Sequence, residues 1–222
     1  MLGREISIQE LAKIFLNQQE KNVHNINLVT PTIYVPSIIE AIKIAKEEGL
    51  KIPIVYNSSG YETSQTIDML NGYIDIYMPD LKYAQNELAI KYSNASNYFE
   101  YATSAIKRMY EQVGDPIVNE DGIMQKGVLV RHLVLPNHIQ NTLKVLEWIK
   151  NNLDDKVLVS VMAQYFPTHK AKGIEDLSRK ITKREYNKVI EYMCELNLEN
   201  GYMQELGEHE EEYVPDFEKN EQ

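Results

Sequence analysis

One cysteine, Cys194, serves a chain of 222 residues. A disulfide cannot close within it, and neither a Cys₄ zinc site nor an iron–sulfur cluster can be assembled from one thiolate. Basic residues are also scarce. The chain has 23 Lys and Arg against 33 Asp and Glu, a formal net charge of −10. Phosphate binding draws on Lys and Arg, so neither nucleic acid nor an anionic membrane is an expected partner, whereas a protein with a basic patch is compatible. No apolar run approaches about 18 residues, so no span of a membrane is expected. No signal peptide precedes Arg4. The sequons at Asn57 and Asn94 then read as chance matches, and the expected compartment is the cytoplasm. A P-loop, a Rossmann fingerprint and a Gly-x-Ser-x-Gly elbow are all missing.

What is present is a succession of strand-then-helix units that opens, unexpectedly, on a helix. Ser7-Ile-Gln-Glu10 is a capping box, and Ile8, Leu11, Ala12, Phe15 and Leu16 follow at helical spacing. Strands are expected near 24–29, 52–56, 74–78, 128–135 and 156–163, with Gly201 to Glu205 as a last short one. Ser37–Glu40 and Thr182–Glu185 read as further capping boxes, and Gly49 as a helix C′ residue. Other helices are expected near 63–70, 86–94, 97–111 and 139–150, the last with Ile139, Leu143, Leu146 and Ile149 on one face. Residues 112–127 read as irregular around a hairpin turn at Glu120-Asp-Gly122. Alternation of strands and helices implies a parallel sheet with right-handed crossovers, and the apolar strands suit burial on both faces. The expected fold class is therefore α/β. About six strands, against eight in a closed barrel, point to an open, partial (β/α) barrel whose first strand is missing. Residues 1–206 form one domain in this reading, and 207–222 an acidic, disordered tail.

In parallel α/β folds, active sites gather at the carboxyl ends of strands. That rule selects Asn57, Ser58 and Ser59 after one strand, Asp80 and Lys82 after the next, Arg131 within another, and Tyr165 and His169 after the last. Asp80 and Lys82 are two apart and share a side of an extended segment. Together they could bracket the charged ends of an amino acid, form an ordinary ion pair, or present Lys82 as an imine-forming nucleophile. Arg131 interrupts an apolar strand and needs either a carboxylate or a ligand. His132 points the other way and reads as a packed histidine. Cys194, at helical spacing with Tyr186, Ile190 and Met193, reads as a core residue. Glu208-His-Glu-Glu-Glu212 has the composition of a metal site but lacks zincin spacing, and reads as a solvated tail.

Four strand-end blocks carry a resemblance. Asn25-Ile-Asn-Leu-Val-Thr-Pro-Thr32, Pro53-Ile-Val-Tyr-Asn-Ser-Ser-Gly60, Asp75-Ile-Tyr-Met-Pro-Asp-Leu-Lys-Tyr83 and Val130-Arg-His-Leu-Val-Leu-Pro136 resemble the radical SAM proteins related to pyruvate formate-lyase activating enzyme. The likeness spans roughly residues 3–206. It implies a partial (β/α) barrel that binds S-adenosylmethionine and a 4Fe–4S cluster. It also implies reductive cleavage of that cofactor and hydrogen abstraction from a glycine of a partner enzyme. By position, Asp80 and Lys82 match the family's Asp-Leu-Lys motif at the cofactor's amino-acid end, and Arg131 matches an arginine lying against the cofactor. His169 matches a late histidine near its carboxylate. Asn57, Ser58, Met78 and Asp80 match a monovalent-cation site, although Asn57 replaces the family's usual Asp. Thr30-Pro31-Thr32 stands where many members have Gly-Gly-Glu-Pro.

The family's Cys-x₃-Cys-x₂-Cys triad is absent, so the resemblance implies a fragment that binds no cluster and holds no metal. On this reading the cofactor-binding residues are Thr30, Thr32, Asn57, Ser58, Asp80, Lys82, Arg131 and His169. No catalytic residue is assigned. A glycyl-radical-type protein is the implied substrate, and the strand edge left free suits a dimer. Two other readings stand beside it. One is a metal-free lyase or aldolase using Lys82, and the other is a non-catalytic protein-binding domain.

Overall fold

The computed structural model describes residues 4–153, 156–198 and 200–203. The tail from Glu208, with its His-Glu cluster, lies outside the described residues. Helix α1 (Ile8–Glu20) starts from the expected capping box, with Ser7 and Glu10 each bonding the other's backbone. Strand β1 (Ile26–Val29), helix α2 (Val35–Glu47), strand β2 (Ile54–Ser58), helix α3 (Ser64–Met69) and strand β3 (Ile76–Pro79) follow. Helices α4 (Asn86–Ser93) and α5 (Tyr98–Val113) precede a hairpin of β4 (Ile117–Val118) and β5 (Met124–Leu133). Helix α6 (Ile139–Asn152), β6 (Leu158–Met162), α7 (Lys183–Glu195) and β7 (Gly201–Met203) complete the order.

Six strands run parallel in the order β1-β2-β3-β5-β6-β7, and β4 joins β5 antiparallel. The sheet is open, with β1 and β7 at its edges. This is the α/β partial-barrel class expected from the sequence. The irregular stretch is more regular than expected. Asn119 Oδ1 accepts the N–H groups of Asp121 and Ile123 and turns the chain into a short hairpin.

Local signals succeed where nothing competes with them. Gly49, at φ +103, closes α2 with its own N–H on Lys46 and that of Leu50 on Ala45, a Schellman arrangement. The Thr182–Glu185 box caps α7. The Ser37–Glu40 box does not form, because the helix starts three residues earlier, at Val35, with Tyr34 in the N-cap position. Pro36 sits at the first helical positions, where its missing N–H costs nothing, and draws the start to Val35. Glu40 pairs with Lys43 instead.

Burial alternates along β1, β5 and β6. Ile26, Val128, Val130, Val159 and Val161 join Ile54, Tyr56 and Tyr77 in the core against the helices. Their neighbours Asn27, Val29, Leu129, Arg131, Leu133, Leu158, Ser160 and Met162 are half-buried or exposed. The expectation of strands buried on both sides therefore holds for β2 and for most of β3, where Ile76, Tyr77 and Pro79 are buried, and not for the other strands. Helices cover one face of the sheet, and the other is open. Two helix faces are also corrected. In α6 the buried row is Asn141, Thr142, Val145, Leu146 and Ile149. In α7 it is Tyr186, Val189 and Met193, so Cys194, about 100° beyond Met193, is exposed rather than core.

Candidate functional site

On the open face, parallel register brings strand ends together. Asn57 lies beside Met78, and Asp80 lies beside Arg131, which in turn neighbours Ser160. The Arg131 guanidinium donates to Asp80 Oδ1 from Nε at 2.9 Å and to Asn57 Oδ1 from a terminal nitrogen at 2.8 Å. That terminal nitrogen also lies 2.7 Å from Asp80 Oδ1. Lys82 Nζ is 3.2 Å from the other Asp80 oxygen. One carboxylate thus holds two cations, and one cation also holds the Asn57 amide. Side-chain exposure rises from 14% at Asp80 through 25% at Arg131 to 40% at Lys82. The Asp80–Arg131 pair is the anchored part of the cluster, and Lys82 is its accessible rim.

The backbone beneath is locked from the helix face. Asp80 N–H donates to Ser58 and Leu81 N–H to Arg131, extending the ladder past β3. The Tyr98 phenol, on α5, lies 2.9 Å from the carbonyls of both Ser59 and Asp80 and accepts the Lys82 N–H at 3.0 Å. Burial pushes that phenol far above its ordinary range, so it stays neutral and keeps its proton for a carbonyl. Asn141 on α6 clamps the next step, accepting Ala84 N–H at 2.8 Å and donating to the Lys82 carbonyl at 2.9 Å. Gly60 lies against Asp80 so closely that a Cβ there would fall 2.1 Å from the Asp80 carbonyl oxygen. His132 is the packed histidine expected. Its Nδ1 lies 2.6 Å from the Leu81 carbonyl and its Nε2 2.9 Å from the Thr142 hydroxyl. A carbonyl only accepts, so Nδ1 carries the proton and Nε2 accepts from Thr142. Burial lowers this histidine to about 4, keeping it neutral.

Of the eight residues selected from sequence, four meet here: Asn57, Asp80, Lys82 and Arg131. Ser58 alternates to the opposite side, where its hydroxyl accepts Gly60 N–H. Thr30 is exposed at φ +53, and its N–H extends the β1–β2 ladder to Asn57. The Thr32 hydroxyl is committed to Glu62. His169 opens a short 3₁₀ turn, exposed, and no described contact joins it to the cluster. Sequence reasoning missed Gly60, Glu62, Tyr98 and Asn141. Asn141 left a signal, a polar residue in the buried row of an amphipathic helix. Among the described residues no group of three or more His, Cys, Asp or Glu is placed to hold a metal ion. No described helix is long and apolar enough to cross a membrane.

No family model matches the chain. It is 34% identical over 197 residues to an uncharacterized protein of Methanocaldococcus jannaschii, covering 87% of this chain and 53% of the relative. The chain therefore spans about half the length of the curated relative it matches. Among solved structures it is similar to a domain of pyruvate-formate lyase-activating enzyme from Bacteroides vulgatus. The TM-score is 0.55 at 12% identity, over 82% of this chain and 98% of that one. It is also similar to Streptococcus suis SuiB bound to its precursor peptide SuiA, at TM-score 0.60 and 15% identity over 94% of this chain and 44% of that one. SuiB bound to S-adenosylmethionine gives 0.60 and 14%, over 94% and 45%. The fold is thus the open, partial barrel of radical SAM proteins of the activating-enzyme type, as the strand-end resemblance implied.

Proposed function

We propose that the open face binds S-adenosylmethionine and that the chain is the cofactor-binding part of a radical SAM protein of the activating type. The observation that carries this is the hydrogen-bonded group of Asn57, Asp80, Lys82 and Arg131 on the uncovered side of the sheet. Its chemistry fits the cofactor's amino-acid end. Asp80 offers a carboxylate to an ammonium, while Lys82 and Arg131 offer donors to a carboxylate. Half-buried Leu129, Leu133 and Met162, on the same face, offer apolar surface to a purine. Bound S-adenosylmethionine supplies, when reductively cleaved, a 5′-deoxyadenosyl group able to take hydrogen from a protein. The chain's own residues bind and orient it. Arg131 keeps Asp80 in place while Lys82, the exposed member, exchanges its ion pair for the ligand.

An iron–sulfur cluster does not fit the residues present. Cys194 is the one thiol, exposed on α7. Cluster thiolates must come from outside this chain, and no reductive step is assigned to it. A protein or peptide substrate accords with the peptide-bound SuiB neighbour. A glycyl-radical enzyme as that substrate, a cytoplasmic site of action and pairing of copies along the β1 edge belong to the same proposal. The imine-forming reading of Lys82 finds less support. Its ammonium is ion-paired and 40% exposed, whereas an activated lysine needs a desolvating or cationic setting.

Equilibrium dialysis with labelled S-adenosylmethionine tests the proposal. Arg131→Ala is expected to weaken binding at least ~10-fold, about 1.4 kcal/mol. Lys82→Ala should weaken it less. Unchanged affinity in both variants, or no binding by the unsubstituted chain, would overturn it.

A further inference from the structure

Opposite charges are segregated along this chain. Seven of the 23 basic residues fall between Lys170 and Lys188, in the connection from β6 into α7. Two acids of that stretch are already engaged, Asp176 by Lys91 and Glu185 by Arg179. Lys170, Lys172, Lys183, Arg184 and Lys188 are exposed, and none of these five has an ion pair among the described residues. The surface does not favour them from within. Arg184 and Lys188 stand four apart on α7 and repel. Lys183 and Arg184 occupy its first turn, where the helix dipole disfavours cations. A chain of net charge −10 thus carries a basic surface that lacks its counter-charge.

The counter-charge is in the same sequence. Eight of the 33 acidic residues fall between Glu205 and Glu221, against one base, Lys219. The sheet sends both segments out side by side. Strands β6 and β7 run parallel, with Val161 beside Met203. Their outgoing connections therefore start from the carboxyl ends of neighbouring strands, about 5 Å apart. The basic segment follows β6, and the acidic one follows β7. Extended chain covers roughly 3.3 Å per residue, so the run from Met203 to Glu212 can span about 30 Å. Tethering also gives the acids a high effective concentration beside the bases, so several weak, exposed ion pairs can act together.

We propose that the acidic segment Glu205–Glu221 docks on the basic surface formed by Lys170, Lys172, Lys183, Arg184 and Lys188. The contact is intramolecular and electrostatic. An acidic protein would have to displace the tail to use that surface. The contact is distinct from the open-face cluster and does not depend on what that face binds.

The test is lysine acylation of the whole chain at low salt, read residue by residue by mass spectrometry. The comparison is a full-length variant carrying Glu208→Gln, Glu210→Gln, Glu211→Gln and Glu212→Gln. Lys170, Lys172, Lys183 and Lys188 are expected to react about 2–5-fold more slowly in the unsubstituted chain, because a paired ammonium holds its proton. Exposed Lys13, on α1, should react alike in both. At about 1 M salt, where the screening length is about 3 Å, the two chains should converge. A carbodiimide that joins adjacent carboxylates and amines should link the tail to these lysines within single chains, and it decides the matter if the variant misfolds. Equal acylation of the two chains at low salt would overturn the proposal. So would a difference that persists at high salt, protection that grows with protein concentration, or crosslinks that bypass these lysines.

Discussion

The helix face and the open face of this sheet are built from alternate residues of the same strands, yet they handle polar groups in opposite ways. Val130 and His132 look toward the helices, and Leu129, Arg131 and Leu133 look away. On the helix face polar groups are neutral and fully committed, as with His132 between Leu81 and Thr142 or the Tyr77 phenol on Gln112. On the open face they are charged, paired with one another and reachable by solvent. Burial explains the contrast. An unpaired ion in the helix-covered layer would cost several kcal/mol, whereas Asp80 and Arg131 offset their partial burial by pairing, and Lys82, at the exposed rim, can exchange partners. The covered face therefore holds the strand ends still, and the open face keeps charge available for a ligand.

The contrast is broken most severely where the two faces meet. Gly60→Ala places a methyl 2.1 Å from the Asp80 carbonyl at a backbone φ of +75, so Asp80 must move. A loss of about 3–5 kcal/mol is expected in chemical denaturation. A mild effect would show that this junction is soft.

The second effect comes from acid. His132 is held near 4 when folded, below its ordinary 6.5, so the unfolded chain takes up a proton that the folded one refuses. Stability is therefore full above pH 6.5 and falls as pH drops from 6.5 toward 4, by up to about 3 kcal/mol. Urea unfolding at a series of pH values checks this, and His132→Gln should flatten the curve in that window. A smaller effect is expected from Tyr98→Phe, which strips a phenol from the Ser59 and Asp80 carbonyls and the Lys82 N–H. It should cost about 1–2 kcal/mol in stability. It should also loosen ligand binding without removing any open-face charge.

Much of the fold was legible because its signals are local. The Ser7 and Thr182 boxes and the Gly49 stop each depend on residues within a few positions. The Ser37 box was misread because Pro36, its neighbour, outranks it. The rule of strand ends named Asn57, Asp80, Lys82 and Arg131, which the fold brings together. It also named Ser58, which period-two alternation puts on the opposite side from Asn57. Tyr98, Gly60 and Asn141 were invisible for another reason. They touch the Asp80–Lys82 segment only across 16 or more residues of chain. Cys194 was misplaced by one step around a helix, about 100°, enough to turn core into surface.

Amide chemical shifts recorded while S-adenosylmethionine is titrated into the isotope-labelled chain test the central claim most directly. The account predicts saturable shifts centred on Asn57, Asp80, Lys82 and Arg131, with the helix-face residues Tyr56, Tyr77 and Val130 shifted less. No shifts, or shifts centred on the helix face, would contradict it.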